Sequence, residues 1–391
     1  MNYSWSSSRG VWLGAVLLFS VCWSRPSWAE PNQAPPSSIQ VRAVPERPYI
    51  ERREGQQLLN FDFFVENTGG RKLRLNYIRV SVHDAAGQLV LQRFADENGR
   101  PGGIETLPVR ELQEKALISV FNPFYVFGAD VPLGTLRYEF GFDPPDEGKN
   151  RLRQEHAVTA TVEVHPEVYE GKTELMLPLG NARTLVQDGH DFYAHHRRQD
   201  LSDPGLRKLG VMNNPVLFAY DLCTLGPNNE LYKGSPYKNE NWYTYSARIF
   251  APGDGVVASV ANAIPDNTYE GKTMVSPKLP EDADPVGLGN HVIIDHGNGE
   301  FSALVHMKPG SVRVKKGDRV RRGDLIGQVG MSGDAGIPHL HYMVLSHTEL
   351  LKARALPSYF VNFERILGGK VVRVRRGQID SGDIVQAADE K

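Results

Sequence analysis

The 391-residue chain holds only two cysteines, Cys22 and Cys223. Two thiols cannot build a cysteine-rich zinc site or a disulfide-dense scaffold. A basic excess is missing as well: Lys and Arg total 44 against 46 Asp and Glu, for a formal charge of −2. Nucleic acid is therefore not an expected partner, because neutralising a phosphate backbone needs clustered cationic side chains. No apolar run approaches the roughly 20 residues that span a bilayer. No internal repeat of about 20–50 residues is found, which argues against a solenoid or propeller. There is no Gly-x-Ser-x-Gly elbow for serine catalysis and no phosphate-binding P-loop. Hydrophobic residues at 40% and charged residues at 23% are ordinary for a globular protein, and the length suits two or three domains.

At the start of the chain, Arg9 precedes an apolar stretch at residues 11–19 that leads to Ser27-Trp28-Ala29. A basic residue, a short apolar core and a small-x-small end make a cleavable export signal over residues 1–29. The core is too short for a permanent span, so no stable membrane anchor is expected. Val21 ahead of Cys22 argues against lipid attachment there. The expected location is the cell envelope, periplasmic or extracellular. Removal of the leader leaves Cys223 as the single cysteine, which reads as a small buried hydrophobe within residues 220–225.

Residues 30–38 form a Pro/Ser-rich linker. From 39 to 166 apolar residues alternate with polar ones, as in Leu136, Tyr138, Phe140 and Phe142, between turn-forming clusters at residues 67–70 and 84–87. Short period-two strands without helical periodicity predict a β-sandwich of immunoglobulin-like size. His83, His156 and His165 are scattered along these strands and read as structural. From about residue 248, Gly-rich turns such as His296-Gly-Asn-Gly299 separate further short strands, which predicts a second antiparallel β domain and an all-β fold class. Residues 292–295 and 301–306 form a hairpin that leaves His306 at a strand end. Residues 358–391 read as a C-terminal extension with one strand at 370–374 and an acidic, frayed tail.

Histidines crowd the second half: His190, His195, His196, His291, His296, His306, His339 and His341. In His339-Leu340-His341 the i, i+2 spacing points both rings to one face of a strand. With His306 converging from the neighbouring hairpin, the group suggests zinc, which takes imidazole and carboxylate ligands and keeps one position open in catalytic sites.

The run Gly289-Asn-His-Val-Ile-Ile-Asp-His-Gly-Asn-Gly, then Leu304-Val-His-Met, the Gly-Asp turns of residues 314–330, and Pro338-His-Leu-His-Tyr resembles, in order and spacing, the lysostaphin/LytM-type zinc metallopeptidases, a peptidoglycan endopeptidase family. The resemblance extends less securely back to about residue 188 and does not cover the first domain. It implies an antiparallel β metallopeptidase domain over 167–357, in an extended variant with an N-terminal β-sandwich. One Zn2+ per chain is implied, held by a histidine, an aspartate and His341, the second histidine of the pair. His339 and His306 match the two catalytic histidines, which would orient the attacking water and stabilise the oxyanion. The chain departs from the usual pattern in which the first two ligands stand four residues apart. Asp200 has that spacing from His196 but runs straight into a loop. Asp221 lies in Phe218-Ala-Tyr-Asp221, as in extended members, and is favoured. Between His195 and His196, His196 is chosen. His291 and His296 read as structural and His190 as a supporting residue. The expected function is an exported zinc metalloendopeptidase acting on peptidoglycan peptides. The alternative is a non-catalytic cell-wall binding or hydrolase-activating protein on the same fold. A cell-envelope protein partner for the β-sandwich is a further expectation.

Overall fold

The computed structural model describes residues 38–145, 156–211, 213–278 and 287–388. The expected export signal lies outside the described residues. In the first half, alternation decides which face is buried. On Thr135–Asp143 the side chains of Leu136, Tyr138, Phe140 and Phe142 are fully buried, because successive residues of a strand face opposite ways. This strand pairs antiparallel with Leu73–His83 and Val158–Val164, and Leu89–Asp96 extends the sheet. A second antiparallel sheet joins Ile39–Val44, Asp62–Asn67 and Leu117–Phe121. Phe63 of the second sheet meets Tyr138 and Phe140 of the first edge-on, with ring centroids 4.8 and 5.0 Å apart. The two sheets therefore face each other across an aromatic core, in which each such ring pair contributes about 0.5–1.5 kcal/mol beyond its area burial. This arrangement is compatible with the expected sandwich.

The second half is built on one long antiparallel sheet. Its central run is Gly255–Ala261, Asn290–Asp295, Phe301–Met307, Leu340–Leu345, Tyr220–Thr224 and Thr184–Asp188, each strand antiparallel to the next. Both faces are covered. Val292, Ile294, Leu304, Leu340 and Tyr342 pack into one core, while Ile293, Ala303, Val305 and Met343 pack into another. Near-continuous burial of this kind explains why these strands read as apolar runs. The hairpin expected at 292–306 is present, with Asp295 opposite Phe301.

The C-terminal segment differs from its expectation of a single strand and a frayed tail. It contributes three strands, Phe360–Leu367, Lys370–Gly377 and Ile384–Ala387, and the last pairs with Thr184–Asp188. Asn362 has φ 52°, and the register passes from Val361 opposite Arg376 to Phe363 opposite Val374. The buried residues of Phe360–Leu367, Phe360 and Phe363, stand three apart rather than two, which interrupts the period-two pattern by which a strand is recognised.

Candidate metal centre

The site is assembled by strand register and by one loop. On Leu340–Leu345, His341 stands opposite Asp221 of one neighbouring strand and opposite Val305 of the other. Directly opposed residues share a face, so Asp221 and His341 meet. Regular alternation would send His306, next to Val305, to the other face. Instead His306 has φ 62°, a left-handed conformation that is costly for a residue with a Cβ and that turns its ring toward His341. The ring centroids of His306 and His339 lie 4.8 Å apart. His196 arrives from the loop after Thr184–Asp188, at the start of a short 3-10 turn, His196–Arg198.

The three candidate ligand atoms form a compact triangle. His196 Nε2 lies 3.2 Å from His341 Nδ1 and 3.3 Å from Asp221 Oδ1, and His341 Nδ1 lies 3.0 Å from the same oxygen. A tetrahedral zinc ion with bonds of about 2.0–2.2 Å has ligand–ligand edges of about 3.3–3.6 Å, so the triangle fits it with slight contraction. The hydrogen bonding agrees. His196 Nδ1 donates to the Gly189 carbonyl at 2.9 Å, which leaves a lone pair on Nε2 facing a carboxylate oxygen. Lone pair against carboxylate is the environment of a cation rather than of a hydrogen bond. All three side chains are buried.

His306 and His339 flank this triangle. His306 Nδ1 donates to the Ser332 carbonyl and His339 Nδ1 to the Ile337 carbonyl, each at 2.8 Å. Both Nε2 atoms are thereby left for other work, and that of His339 lies 3.3 Å from Asp221 Oδ1. Burial opposes ionisation of Asp221, but the His339 charge and the close approach of the His196, His339 and His341 ring nitrogens outweigh it and hold its carboxyl well below the usual range. Burial holds His306 well below its ordinary value, with His339 and His341 adding to the effect. Burial also lowers His341 to about 4 against the pull of Asp221. For His339 the balance reverses, because Asp221 outweighs burial and raises it. The cluster thus combines an ionised carboxylate, two imidazoles held neutral and one prone to protonation. It opens into a cavity of about 370 Å³, whose walls also include Val216, Leu288, Val305 and Leu350.

The structure brings His196, Asp221, His341, His306 and His339 to one place. Asp200 instead caps the turn at Ser202 and does not line the cavity. The His195 side chain is 61% exposed against 2% for His196. Its Nδ1 contacts Asp188 Oδ2 directly and its Nε2 lies 3.8 Å from Asp221 Oδ2. The hydrogen bond with Asp188 raises the His195 pKa despite partial burial. Asp188, His195 and His196 also bring ligand-capable atoms close together. Asp188 was not singled out in the sequence; an acid seven residues before a histidine carries no spacing signal. His291 bonds Ser259 and the Gly289 carbonyl, and His296 bonds Ser302 and the Asp254 carbonyl, both away from the triangle. Cys223 is buried, with its thiol pushed up to about 12 by desolvation, which makes it an inert core residue.

Residues 243–352 match the family described as peptidase family M23. That segment is a peptidase family M23 domain. The M23 match contains His306, His339 and His341 and begins after His196 and Asp221. Two curated relatives share parts of the chain. The peptidoglycan DD-endopeptidase ShyA of Vibrio cholerae is 42% identical over 57 residues, 15% of this chain and 13% of that protein. An uncharacterized metalloprotease of Buchnera aphidicola is 24% identical over 147 residues, 38% of this chain and 36% of the relative. The chain therefore spans well under half of either relative. Among solved structures, the catalytic domain of the antimicrobial peptidase lysostaphin from Staphylococcus simulans aligns at 23% identity over 32% of this chain and 88% of its own, with a TM-score of 0.16. The M23 domain supports a hydrolase of the peptidase class, and zinc is the metal typical of that family.

Proposed function

We propose that the protein is an exported zinc metalloendopeptidase that hydrolyses peptide bonds in peptidoglycan cross-links. One Zn2+ per chain would be held by His196, Asp221 and His341, and when bound it polarises the scissile carbonyl and lowers the pKa of a water toward about 7. The chain's own residues do the remaining work. His306 and His339, each fixed by its Nδ1 donation to a backbone carbonyl, turn their Nε2 atoms toward the reacting centre. There a free Nε2 accepts the proton of the attacking water, and the imidazolium so formed donates to the carbonyl oxygen as negative charge grows and then passes that proton to the leaving amine.

The observation that carries this reading is the triangle of His196, Asp221 and His341 with two further histidines aimed at it from the same face. The peptide cross-link as substrate is supported by the local identity to a peptidoglycan DD-endopeptidase, and export by the leader pattern of residues 1–29. No helix among the described residues is long and apolar enough to cross a membrane. The test is digestion of isolated peptidoglycan by the zinc-loaded protein beside His341→Ala, with released fragments identified by mass spectrometry. Cleaved cross-link peptides are expected from the wild type alone. Intact wall from a zinc-bearing wild type would overturn the peptidoglycan assignment and favour a regulatory role.

A further inference from the structure

His196 is the one candidate ligand that no strand holds. Asp221 and His341 are fixed by the register of adjacent strands, whereas His196 sits in the loop after Thr184–Asp188, in a turn of three residues. A ligand must be held to a fraction of an ångström to favour metal binding, so something other than secondary structure has to fix this one. The residues that surround it supply two pins, and both run to the N-terminal sheets.

The first pin is Arg197, immediately after His196 and fully buried. Its Nη1 contacts Asp62 Oδ1 directly and its Nη2 donates to the Phe61 carbonyl at 2.8 Å, while Asp62 itself is 1% exposed. A fully buried arginine is rare, and this one is retained with its charge paired to Asp62 and both Nη groups engaged. The second pin is His190, whose Nε2 lies 2.8 Å from Glu51 Oε2, with both side chains essentially inaccessible. Glu51 is fixed in turn by Asn60 and Gln378. Gly189, next to His190, supplies the carbonyl that accepts from His196 Nδ1. Both ends of the short segment from Gly189 to Arg197 are therefore tied to Glu51 and Asp62.

We propose that the N-terminal sheets form a built-in part of the metal centre, with Arg197 and His190 as positioning residues that set His196 as a ligand through Asp62 and Glu51. The inference rests on the metal-centre reading above and assigns the first half of the chain a role beyond spacing or partner recognition.

The test measures zinc affinity by chelator competition and the visible spectrum of the cobalt(II)-substituted protein, using the full chain. Two variants remove the pins separately. The pair Asp62→Leu with Arg197→Met replaces a buried ion pair by apolar groups of similar size, a change that cores commonly tolerate. Glu51→Gln keeps the shape of the second pin and removes its charge. Arg354→Ala is the control: Arg354 stacks on Tyr49 and donates to the Arg47 carbonyl, so it joins the same two parts of the molecule away from His196. The pin variants that fold cooperatively are expected to bind zinc about 10- to 100-fold more weakly and to show an altered cobalt spectrum, while Arg354→Ala matches the wild type. Wild-type affinity and spectrum in a folded pin variant would overturn the proposal, as would an equal loss in the control. If one pin variant does not fold, the other decides. Failure of the wild type itself to bind zinc would instead refute the metal-centre reading on which the proposal depends.

Discussion

His306 and His339 differ from the three ligand candidates in what their nitrogens face. Each gives its Nδ1 proton to a carbonyl, so each presents a single nitrogen to the cavity. A ligand's removal empties the metal centre, whereas removal of a residue that handles protons and the oxyanion leaves it filled. His339→Ala and His306→Asn are therefore expected to retain about one zinc per chain and to lose about 10²- to 10⁴-fold in hydrolysis rate. Asn is chosen at 306 because it tolerates the positive φ of that position. Metal analysis beside a peptide-release assay checks this, and loss of zinc from either variant would place that histidine among the ligands. These residues were legible as a group because His306 lies in a hairpin strand and His339 stands one residue before a strand, each with a turn signature beside it. His196 was less so: its choice over His195 turns on burial, 2% against 61%, a tertiary quantity with no local sequence signal.

At the scale of elements, the position of His306 depends on the loop behind it. Ser332, whose carbonyl receives the His306 Nδ1 proton, packs against Gly289. Gly289 has φ +62°, and a Cβ there would stand 2.5 Å from the Ser332 carbonyl carbon and oxygen. Gly289→Ala combines a left-handed strain with a backbone clash, so it is expected to lower stability by about 1–3 kcal/mol and to reduce activity by displacing His306. Gly271, at φ +64° with nothing near its Cβ position, gives the comparison. Gly271→Ala carries only the conformational penalty of about 1–2 kcal/mol and leaves activity intact. Urea midpoints and peptide-release rates separate the two. The same scale shows where sequence patterns stop being informative. Thr135–Asp143 and the hairpin to His306 could be read because one side chain in two is apolar or because a Gly-rich turn joins two such runs. Phe360–Leu367 could not, because its buried residues Phe360 and Phe363 stand three apart, with Asn362 at positive φ between them. Ile384–Ala387 is held by pairing to strands far away in the chain, which its own acidic surroundings do not announce.

For the whole molecule, the contact between its two halves contains ionisable groups with no access to water. Burial alone would raise the Glu51 carboxyl, but the charge and hydrogen bond of His190, helped by Arg53 and Gln378, outweigh it and hold the group at about 2. Its ordinary value is 4.5, so the unfolded chain takes up the proton first as pH falls. Glu51 therefore adds stability above about pH 4.5 that is lost as pH falls toward about 2. Unfolding free energy measured by denaturant across that window should decline, and Glu51→Gln should flatten the decline; an unchanged slope in the variant would show that Glu51 is not the group responsible. A sequence gives no warning of this contact, since Glu51 and Asp62 look like ordinary surface acids until the fold buries them against His190 and Arg197.

The account as a whole depends on where the metal sits. Diffraction from crystals of the zinc-loaded protein, collected on both sides of the zinc absorption edge, locates it directly. A single anomalous peak within about 2.0–2.2 Å of His196 Nε2, Asp221 Oδ1 and His341 Nδ1 is the expected result. A peak held by Asp188 and His195, or none at all from protein that retains its fold, would contradict it.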